Sequence, residues 1–501
     1  MIFESVKHIT KKKEFQELIL IYIRMIEIIA NKNKMTVAII SEPSDAACSE
    51  LISMGIIETS EDLVILKKVL GANYIHFISS VEFYINNKIL YGNLLYRLSN
   101  KHRKELQDKV KKDNAPKFAD FFSGAGGLSC GFSQAGFKVV FANDHEDVCV
   151  QTYRFNHPEL PANKVVKEDI RKIVNNINDY IPEEIDIVIG GPPCQGFSSA
   201  NQQRIIDDPR NELYKYYIEA VKRIAPKFIL MENVRGMLSV ADQVVEDYKA
   251  ININKDGKEY TYDISYRLLN SSSFGVAQSR ERLIYIAVRN DVASLEGISA
   301  DKIFEEIEEA CRNNAKVNLQ SALEFIKPLE APRIKGMTEV DDDITGKKID
   351  NNEYDSCGND YLCMINGNRN IPFVFNHKAR YCSDVNYEIF RRLSPGEDST
   401  SPKIADIMPY AHRNGIFKDK YYKLYADRPC RTITAHLRMD CLSHIHPSQI
   451  RSITPREAAR VQSFPDDYVF LGPYLKTYMQ IGNAVPVIMA KQIAMIIKKY
   501  V

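Results

Sequence analysis

Short apolar runs alternate with stretches of helical spacing from residue 118 to about residue 289. Each run has the length of a strand, and each intervening stretch can hold a helix. This alternation predicts the α/β class, with a doubly wound and mainly parallel sheet. Ligands bind such a sheet at the carboxyl ends of its strands, so the residues after each run are the first candidates for a site. The runs cover residues 139–141, 185–189, 228–231 and 283–288.

Residues 1–115 carry apolar side chains mostly at helical spacing, as in Phe15, Leu18 and Tyr22. They predict a mainly helical amino-terminal accessory domain whose role is unknown. A helical stretch at 46–54 precedes an alternating segment at 63–66 that favours a strand, so a winged helix is the second interpretation. The basic segment 101–112 is typical of a solvated helix and linker, with a phosphate-binding arm as the alternative.

The alternation of strands and helices stops after the last apolar run. Residues 291–427 are polar and predict an inserted domain with long loops, whereas residues 428–501 return to helical and sheet patterning. At 501 residues the chain is long enough for two to four domains. We therefore predict an α/β domain over residues 116–290, completed by residues 428–501, and a smaller domain between these two parts.

Charge and cysteine content restrict the setting of the protein. Lys and Arg number 66 against 65 Asp and Glu, so a nucleic-acid surface has to be local. The apolar stretch 18–30 contains Arg24 and Glu27, and the first residues lack a secretory signal, so no membrane span is expected. Ten cysteines without a regular framework favour reduced thiols in the cytoplasm.

A glycine-rich turn follows the first strand, in residues 120–127. Its glycines let the backbone approach a ligand closely, and the helix after it offers unpaired N–H groups. The order G-x-G-G departs from the dinucleotide pattern, and a plain tight connection is the alternative. Asp144 ends the next strand, where it can accept both ribose hydroxyls, and Asp169 is suited to an adenine amino group. Together these residues indicate an adenosyl cofactor.

The apolar run 185–189 leads into Gly190, Gly191, Pro192, Pro193 and Cys194. An arbitrary cysteine is usually a small buried apolar residue. Here two prolines with fixed φ angles would hold the thiol at the carboxyl edge of the sheet, with little entropy left to lose. Cys194 is therefore the candidate nucleophile.

Two further clusters of charged residues also lie at the ends of predicted strands. Glu232 ends an apolar strand, where burial would raise its pKa and let it hold a proton for a substrate nitrogen. Arg280 and Arg282 lie two residues apart before the last strand, so both can face one site. Taken singly, the glutamate could cap the next helix and the arginines could form surface ion pairs.

These clusters, in this order, resemble the motifs of the C5-cytosine-specific DNA methyltransferase family of the prokaryotic restriction-modification type. The matching stretches extend from about residue 118 to the carboxyl terminus. They are the glycine turn 120–127, Pro-Pro-Cys-Gln at 192–195, Glu-Asn-Val at 232–234, Gln-x-Arg-x-Arg at 278–282, 428–434, 454–460 and Gly-Asn-Ala-Val-Pro at 482–486.

The resemblance implies a Rossmann-like class I methyltransferase fold and S-adenosyl-L-methionine as the cofactor. Many relatives carry an aromatic residue directly after the ribose-binding acid. This chain has His145, which can also stack on adenine. The implied cofactor-binding residues are Phe122, Gly124, Gly126, Gly127, Asp144, His145, Asp169, Ile170, Pro192, Leu213, Asn483 and Val485.

The resemblance also implies the chemistry. The Cys194 thiolate adds to C6 of a cytosine and makes C5 nucleophilic, while protonated Glu232 binds the N3 edge. Arg280 and Arg282 hold the ring, and the base that removes the C5 proton is not assigned. The target cytosine has to leave the DNA stack, because its reacting atoms are inaccessible in a duplex.

By the same resemblance, residues 291–427 form the target-recognition domain. Arg380, Arg391 and Arg392 are candidate contacts to base edges, although exposed arginines are usually solvated. Cys357, Cys363, His377 and Cys382 lack a CxxC pair, so no metal is expected.

The predicted protein is a monomeric cytoplasmic enzyme, associated with the nucleoid, that acts on double-stranded DNA beside a separate cognate restriction endonuclease. A tRNA cytosine-5 methyltransferase on the same scaffold is the alternative, which the size of the insert disfavours. A catalytically dead DNA-binding relative is a second alternative, and it conflicts with the intact set Cys194, Glu232, Arg280 and Arg282.

Overall fold

The computed structural model describes residues 2–87, 96–193, 212–255, 257–354, 358–409 and 420–501. A seven-stranded sheet forms the centre of the protein, and two short antiparallel pairs lie outside it. The sheet contains β1 (Lys117–Phe121), β2 (Lys138–Asp144), β3 (Val165–Lys167), β4 (Ile187–Gly190), β5 (Phe228–Val234), β8 (Tyr262–Asn270) and β9 (Glu281–Arg289). The pairs are β6 (Ile253–Lys255) with β7 (Lys258–Tyr260), and β10 (Gly346–Asn351) with β11 (Phe373–Lys378).

The strand order of the sheet is β3-β2-β1-β4-β5-β9-β8. The first five strands in this order are parallel, and β9 runs antiparallel to both β5 and β8. This order confirms the predicted doubly wound, mainly parallel sheet. The chain leaves β1 toward β2 on one side and reaches β4 on the other, so the strand order reverses at β1. A crevice opens at such a point, at the carboxyl ends of the strands.

Helices cover both faces of the sheet, which explains why its strands are nearly continuous apolar runs. Ile187 and Ile189 contribute to the hydrophobic cluster on one face, and Val188 contributes to the cluster on the other. The helices of this part are α6 (Gly127–Gln134), α7 (Asp147–Asn156), α8 (Ile170–Asn175), α9 (Ile177–Tyr180), α10 (Glu212–Ile224), α11 (Ala241–Lys249), α17 (Pro455–Val461), α18 (Tyr474–Asn483) and α19 (Val487–Ile497).

Every regular element described in residues 2–87 is a helix and none is a strand, so the winged-helix interpretation is wrong for these residues. The segment 63–66 that favoured a strand begins a helix, in which Leu66 and Leu70 are buried while Val64 is exposed. Four apolar residues are too few to distinguish a strand periodicity from a helical one. The burial of Leu66 and Leu70, four residues apart, is the packing of a helix. The helices are α1 (Lys12–Lys32), α2 (Asp45–Met54), α3 (Leu63–Leu70), α4 (Asn73–Asn86) and, in the predicted basic segment, α5 (Asn100–Lys111).

This helical region packs directly on the sheet domain. Its hydrophobic cluster includes Phe155 of α7 together with Val469 and Leu471 near the carboxyl terminus. Glu17 accepts a hydrogen bond from the Gly472 amide at 3.1 Å, and Arg97 pairs with Asp467 at 3.2 Å. The amino-terminal region therefore shares its core with the α7 end of the sheet domain.

The described residues between 290 and 445 contribute to three hydrophobic clusters, one of which is the amino-terminal cluster, joined by Ile349, Phe373 and Phe375 of β10 and β11. The early helices α12 (Asn290–Glu296), α13 (Ala300–Cys311) and α14 (Leu319–Leu323) contribute to the main cluster, as does α15 (Asp360–Asn366). A separate small cluster contains Ile389 and Phe390 of α16 (Asp384–Arg392) with Tyr421, Leu442 and Ile445. The polar segment thus contains regular helices that the sequence pattern did not predict, because their apolar faces are short.

The segment Tyr474–Tyr500 has the length and hydropathy of a membrane span, but 72% of its apolar window is buried inside the protein. It forms two successive helices, α18 and α19, and α19 packs against α6. Burial within the protein explains its apolar composition.

A buried ion pair holds the start of α17. Glu457 accepts two hydrogen bonds from the Arg451 guanidinium, at 2.6 and 2.7 Å, and one from the Thr454 amide at 2.7 Å. Burial opposes ionisation of Glu457, but Arg451 outweighs it and holds the pKa of this carboxyl well below its usual range. The pair completes a capping box with Thr454.

We expect Glu457→Gln to lower the free energy of unfolding by about 3–5 kcal/mol, because it leaves the Arg451 charge buried and unpaired. Urea denaturation followed by circular dichroism measures this change. The control is Glu309→Gln, which removes the exposed partner of Arg312 and should leave the midpoint unchanged. Equal urea midpoints for Glu457→Gln and Glu309→Gln would show that the buried ion pair of Glu457 does not stabilise the fold.

Candidate active site

A cavity of about 510 Å³ opens at the carboxyl ends of β1, β2, β4 and β5. The structure brings most of the predicted site residues together around it. The predicted residues that line the cavity are Phe122, Gly124, Gly127, Asp144, His145, Pro192, Glu232, Arg280, Arg282, Asn483 and Val485.

Four predicted residues are not among those that line the cavity. Gly126 caps the start of α6, Ile170 is buried on one face of the sheet, and Leu213 packs against the same face. Asp169 caps α8 and pairs with Arg171 at 2.7 Å. Cys194 lies outside the described residues. The roles of these residues in cofactor binding and catalysis stay predictions.

The glycine turn brings backbone close to backbone. Phe122, Gly124 and Gly126 all have positive φ angles, of 57°, 54° and 89°. A Cβ atom at Gly127 would lie 2.6 Å from the Val485 carbonyl oxygen, so this glycine is required for the approach of the last motif. The turn therefore presents the start of α6 directly to the cavity, where its N–H groups can meet a polar ligand.

Asp144 fastens this turn from the end of β2. Its carboxylate accepts hydrogen bonds from the Gly124 amide at 2.9 Å and from the Glu146 amide at 2.8 Å. Burial raises the pKa of Asp144, and the two amides oppose this shift. The next side chain, His145, is 73% exposed and lies at the rim of the cavity. Each Asp144 oxygen keeps a second lone pair for a ligand.

Buried hydrogen bonds from hydroxyl groups to a carboxylate lie beneath the turn. Ser129 of α6 donates to Asp120 of β1 at 2.6 Å, and Tyr153 of α7 donates to Ser129 at 2.7 Å. Burial raises the pKa of Asp120 to about 8. These bonds join β1, α6 and α7 and fix the turn in place.

Gln480 supplies a buried acceptor that the sequence reasoning missed. Its amide group donates to the Leu471 carbonyl at 2.9 Å, while its Oε1 atom is buried without a hydrogen-bond partner among the described residues. Gln480 also lines the cavity, with Glu146, Cys149 and Met479. A buried acceptor, the Asp144 carboxylate and the start of α6, which lines the cavity, fit the hydroxyl and amino groups of an adenosyl cofactor. The position of Gln480, two residues before the Gly-Asn-Ala motif, was the sequence signal that could have identified it.

The side of the cavity formed by Glu232, Arg280 and Arg282 is charged. Glu232 at the end of β5 is 9% exposed and pairs with the Arg282 Nε atom at 2.5 Å. Arg280 is 1% exposed and donates to the carbonyl oxygens of Ile433 and Gly482. Burial lowers the pKa of Arg280 strongly, and the neighbouring Arg282 adds to the shift. Both arginines face the cavity, as their spacing predicts.

The corner before Cys194 touches this charged end. A Cβ atom at Gly191 would lie 2.9 Å from the Glu232 carboxylate, and Asn233 donates to the Pro192 carbonyl at 3.0 Å. The chain that leads to Cys194 is therefore held against Glu232.

The three arginines predicted to contact DNA form contacts within the protein. Arg380 donates to the carbonyl oxygens of Leu437 and Met439. Arg391 and Arg392 both pair with Glu388 at 2.7 Å. His377, one of the four residues considered above as metal ligands, is hydrogen-bonded to the Thr454 hydroxyl and to the Lys327 carbonyl. Cys357, another of the four, lies outside the described residues.

Residues 116–499 match the family of C-5 cytosine-specific DNA methylases. The chain is 30% identical to the type II methyltransferase M.AgeI of Thalassovita gelatinovora, covering 76% of this chain and 99% of the relative. It is 32% identical to M.FnuDI of Fusobacterium nucleatum, covering 76% and 94%. A crystal structure of a prophage-encoded protein of E. coli, assigned as a DNA modification methyltransferase, is 26% identical with a TM-score of 0.54, and the match covers 77% of this chain and 99% of that one.

The chain belongs to the C-5 cytosine-specific DNA methylase family. It is a DNA cytosine-5 methyltransferase that uses S-adenosyl-L-methionine as its methyl donor. The family and the type II relatives favour DNA over the tRNA alternative.

We expect Gly127→Ala to weaken binding of S-adenosylhomocysteine by about tenfold or more, because the added methyl group pushes the last motif away from the turn. Isothermal titration calorimetry measures this affinity. Gly358→Ala is the matched control, since its Cβ would meet nothing closer than 3.8 Å. Wild-type affinity in Gly127→Ala would show that the approach of Val485 does not shape the cofactor site.

Proposed function

We propose that Cys194 is the nucleophile and that Glu232, Arg280 and Arg282 complete the catalytic group. One observation carries the proposal: Glu232 and both arginines line the same cavity as the glycine turn, and the corner before Cys194 is held against Glu232. Cofactor and target base would then meet in one cavity.

The Cys194 thiolate forms a bond to C6 of cytosine, and the electron pair of the C5–C6 double bond moves toward C5 and the N3 edge. Glu232, protonated on Oε2, hydrogen-bonds this edge and gives the proton that N3 takes up. The Arg282 Nε atom lies 2.5 Å from Glu232 Oε1 and fixes the orientation of the carboxyl group before the base enters. After C5 is methylated it loses its proton to a base, for which we propose water. The C5–C6 double bond re-forms as the thiolate leaves C6, and N3 returns its proton to Glu232.

S-adenosyl-L-methionine, when bound, supplies an electrophilic methyl group on a sulfonium. In the proposed site Asp144 accepts the ribose hydroxyls, His145 stacks on the adenine, and Asp169 accepts from the adenine amino group. Phe122, the glycine turn and the backbone of Asn483 and Val485 surround the remainder, with Gln480 as an added acceptor. Ile170, Pro192 and Leu213 complete the proposed set.

Residues 291–427 are the proposed target-recognition domain, between catalytic parts at 116–290 and 428–501, with residues 1–115 as an accessory domain. The part that forms its own hydrophobic cluster, around Ile389 and Phe390, supports a separate recognition unit. Arg380, Arg391 and Arg392 remain candidate contacts, although DNA would have to compete with their present partners.

The proposed setting is the prokaryotic cytoplasm, at the nucleoid, where the enzyme acts as a monomer without membrane attachment. A separate restriction endonuclease of the same specificity would be its functional partner. The names of the relatives support this setting, because they are type II methyltransferases of restriction-modification systems.

We expect Cys194→Ala to lower methyl transfer on the order of 10⁴-fold or more, since it removes the nucleophile. Glu232→Gln should lower it by about 10²–10³-fold, because an amide cannot deliver the proton. Transfer of tritiated methyl groups to duplex DNA measures both rates. Cys48→Ala, in a partly exposed thiol of α2, is the control and should match the wild type. Equal transfer by Cys194→Ala would exclude the covalent mechanism.

We expect bisulfite sequencing of DNA from cells that express the protein to show methylated cytosines within one short recognition sequence. Base-edge contacts in the major groove can distinguish all four base pairs, so a single sequence is the physical expectation. Cells that express Cys194→Ala are the control. Cytosine methylation spread over unrelated sequences would contradict the proposed recognition domain.

A further inference from the structure

Residues 469–472 lie between α17 and α18 and belong to no helix or strand. Three of the four are buried, so their backbone N–H and C=O groups need partners inside the protein. Asn156 of α7 is hydrogen-bonded to the N–H and C=O groups of Val469, at 2.9 and 2.8 Å. Asn376 of β11 is hydrogen-bonded to those of Phe470, at 3.1 and 2.9 Å. We call residues 469–472 the connecting segment.

The second half of the connecting segment is held in the same way. The Leu471 amide donates to the Thr152 hydroxyl at 2.9 Å, and the Leu471 carbonyl accepts from the Gln480 side-chain amide at 2.9 Å. The Gly472 amide donates to the two carboxylate oxygens of Glu17, at 3.1 and 3.3 Å. The position of the segment therefore depends on side chains of the sheet domain, of the polar segment and of the amino-terminal region.

Glu17 of α1 brings a charge to this set of contacts. Its side chain is 18% exposed and also pairs with Lys348 of β10, whose ammonium group lies 3.4 Å from the Gly472 carbonyl oxygen. Hydrogen bonds to a carboxylate are roughly twice as strong as bonds between neutral groups. The side chains of Val469 and Leu471 belong to the hydrophobic cluster of the amino-terminal region. This region therefore fixes the entry of the chain into α18, which begins two residues after Gly472.

The same segment sets the orientation of the Gln480 side chain. A glutamine amide has an accepting oxygen and a donating nitrogen on one carbon, and a half turn exchanges them. The Leu471 carbonyl accepts hydrogen bonds and cannot donate them, so it selects the orientation in which Nε2 of Gln480 faces it. Oε1 is then left as a buried acceptor, without a partner among the described residues, in a side chain that lines the active-site cavity. A displaced Leu471 carbonyl would no longer select this orientation.

We propose that Glu17 is a positioning residue for S-adenosyl-L-methionine. By holding the Gly472 amide, it keeps the adjoining Leu471 carbonyl where Gln480 presents its oxygen, and not its NH2 group, to the hydroxyl and amino groups of the cofactor. This role rests on the proposed function of Gln480 as an acceptor for the cofactor. Glu17 lies outside the matched residues 116–499, so the amino-terminal region takes part in cofactor binding through this contact.

We expect Glu17→Met to weaken binding of S-adenosylhomocysteine about 5- to 10-fold, because the Gly472 amide loses its acceptor while side-chain length and helix propensity are kept. Isothermal titration calorimetry measures this affinity. The KM for S-adenosyl-L-methionine should rise by the same factor, and kcat at saturating cofactor should stay within about twofold of wild type. Glu17→Gln should recover the affinity to within about twofold of wild type, since its amide oxygen also accepts from the Gly472 amide.

Gln480→Met tests whether Glu17 acts through Gln480. This variant removes the buried acceptor and the bond to the Leu471 carbonyl, and it should weaken binding of S-adenosylhomocysteine about tenfold. In Glu17→Met/Gln480→Met the affinity should stay within about twofold of that of Gln480→Met alone, because the side chain that Glu17 positions is absent. Losses that multiply in the double variant would overturn the proposal, since a general loosening of the fold would lower the affinity in either background.

The matched control is Glu27→Met, which changes a second glutamate of α1 that pairs with Arg24 in the same helix. It should bind S-adenosylhomocysteine as the wild type does. Wild-type affinity in Glu17→Met beside a weakened Gln480→Met would overturn the proposal and leave the proposed function intact. Wild-type affinity in Gln480→Met would instead overturn the proposed contact of Gln480 with the cofactor.

Discussion

The guanidinium of Arg280 is buried at the point where three distant parts of the chain meet. It extends from the start of β9 and donates to carbonyl oxygens that lie 153 and 202 residues away, at Ile433 and Gly482. A buried charge is costly unless polar groups surround it, so these carbonyls have to stay in place for the fold to form. The same contacts bring the Gly482 end of the last motif to the active-site cavity, which Arg280 also lines.

A second set of buried charges holds the amino-terminal region on this core. Asp467 pairs with Arg97 from that region at 3.2 Å and with Arg369 from the polar segment at 2.7 Å. Burial opposes ionisation of Asp467, and the two arginines hold its pKa below its usual value. The first hundred residues lie outside the matched family region, yet Glu17 and Arg97 tie them to the carboxyl-terminal part that supplies α18. The amino-terminal region thus packs on the same carboxyl-terminal part that supplies Gln480 to the cavity.

Prediction succeeded where the chemistry is local. Strand periodicity, the glycine turn and the strand-end residues Asp144 and Glu232 depend on neighbours within a few residues, and the structure places these groups around one cavity. It failed at 63–66, where a short apolar run is ambiguous and packing of Leu66 chose the helix. It could not find Gln480, because the place of this residue in the cavity depends on which side chains the fold brings near.

The sequence by itself determined the class of sheet, the order of the motifs and the family to which they point, because periodicity and motif spacing are properties of the chain. Only the tertiary structure decided which charges face each other. The ion pair of Glu232 with Arg282 and the carbonyl partners of Arg280 each join residues from separate elements or loops. Such contacts arise when the doubly wound sheet brings its strand ends to one edge, and no local pattern records the partners that meet there.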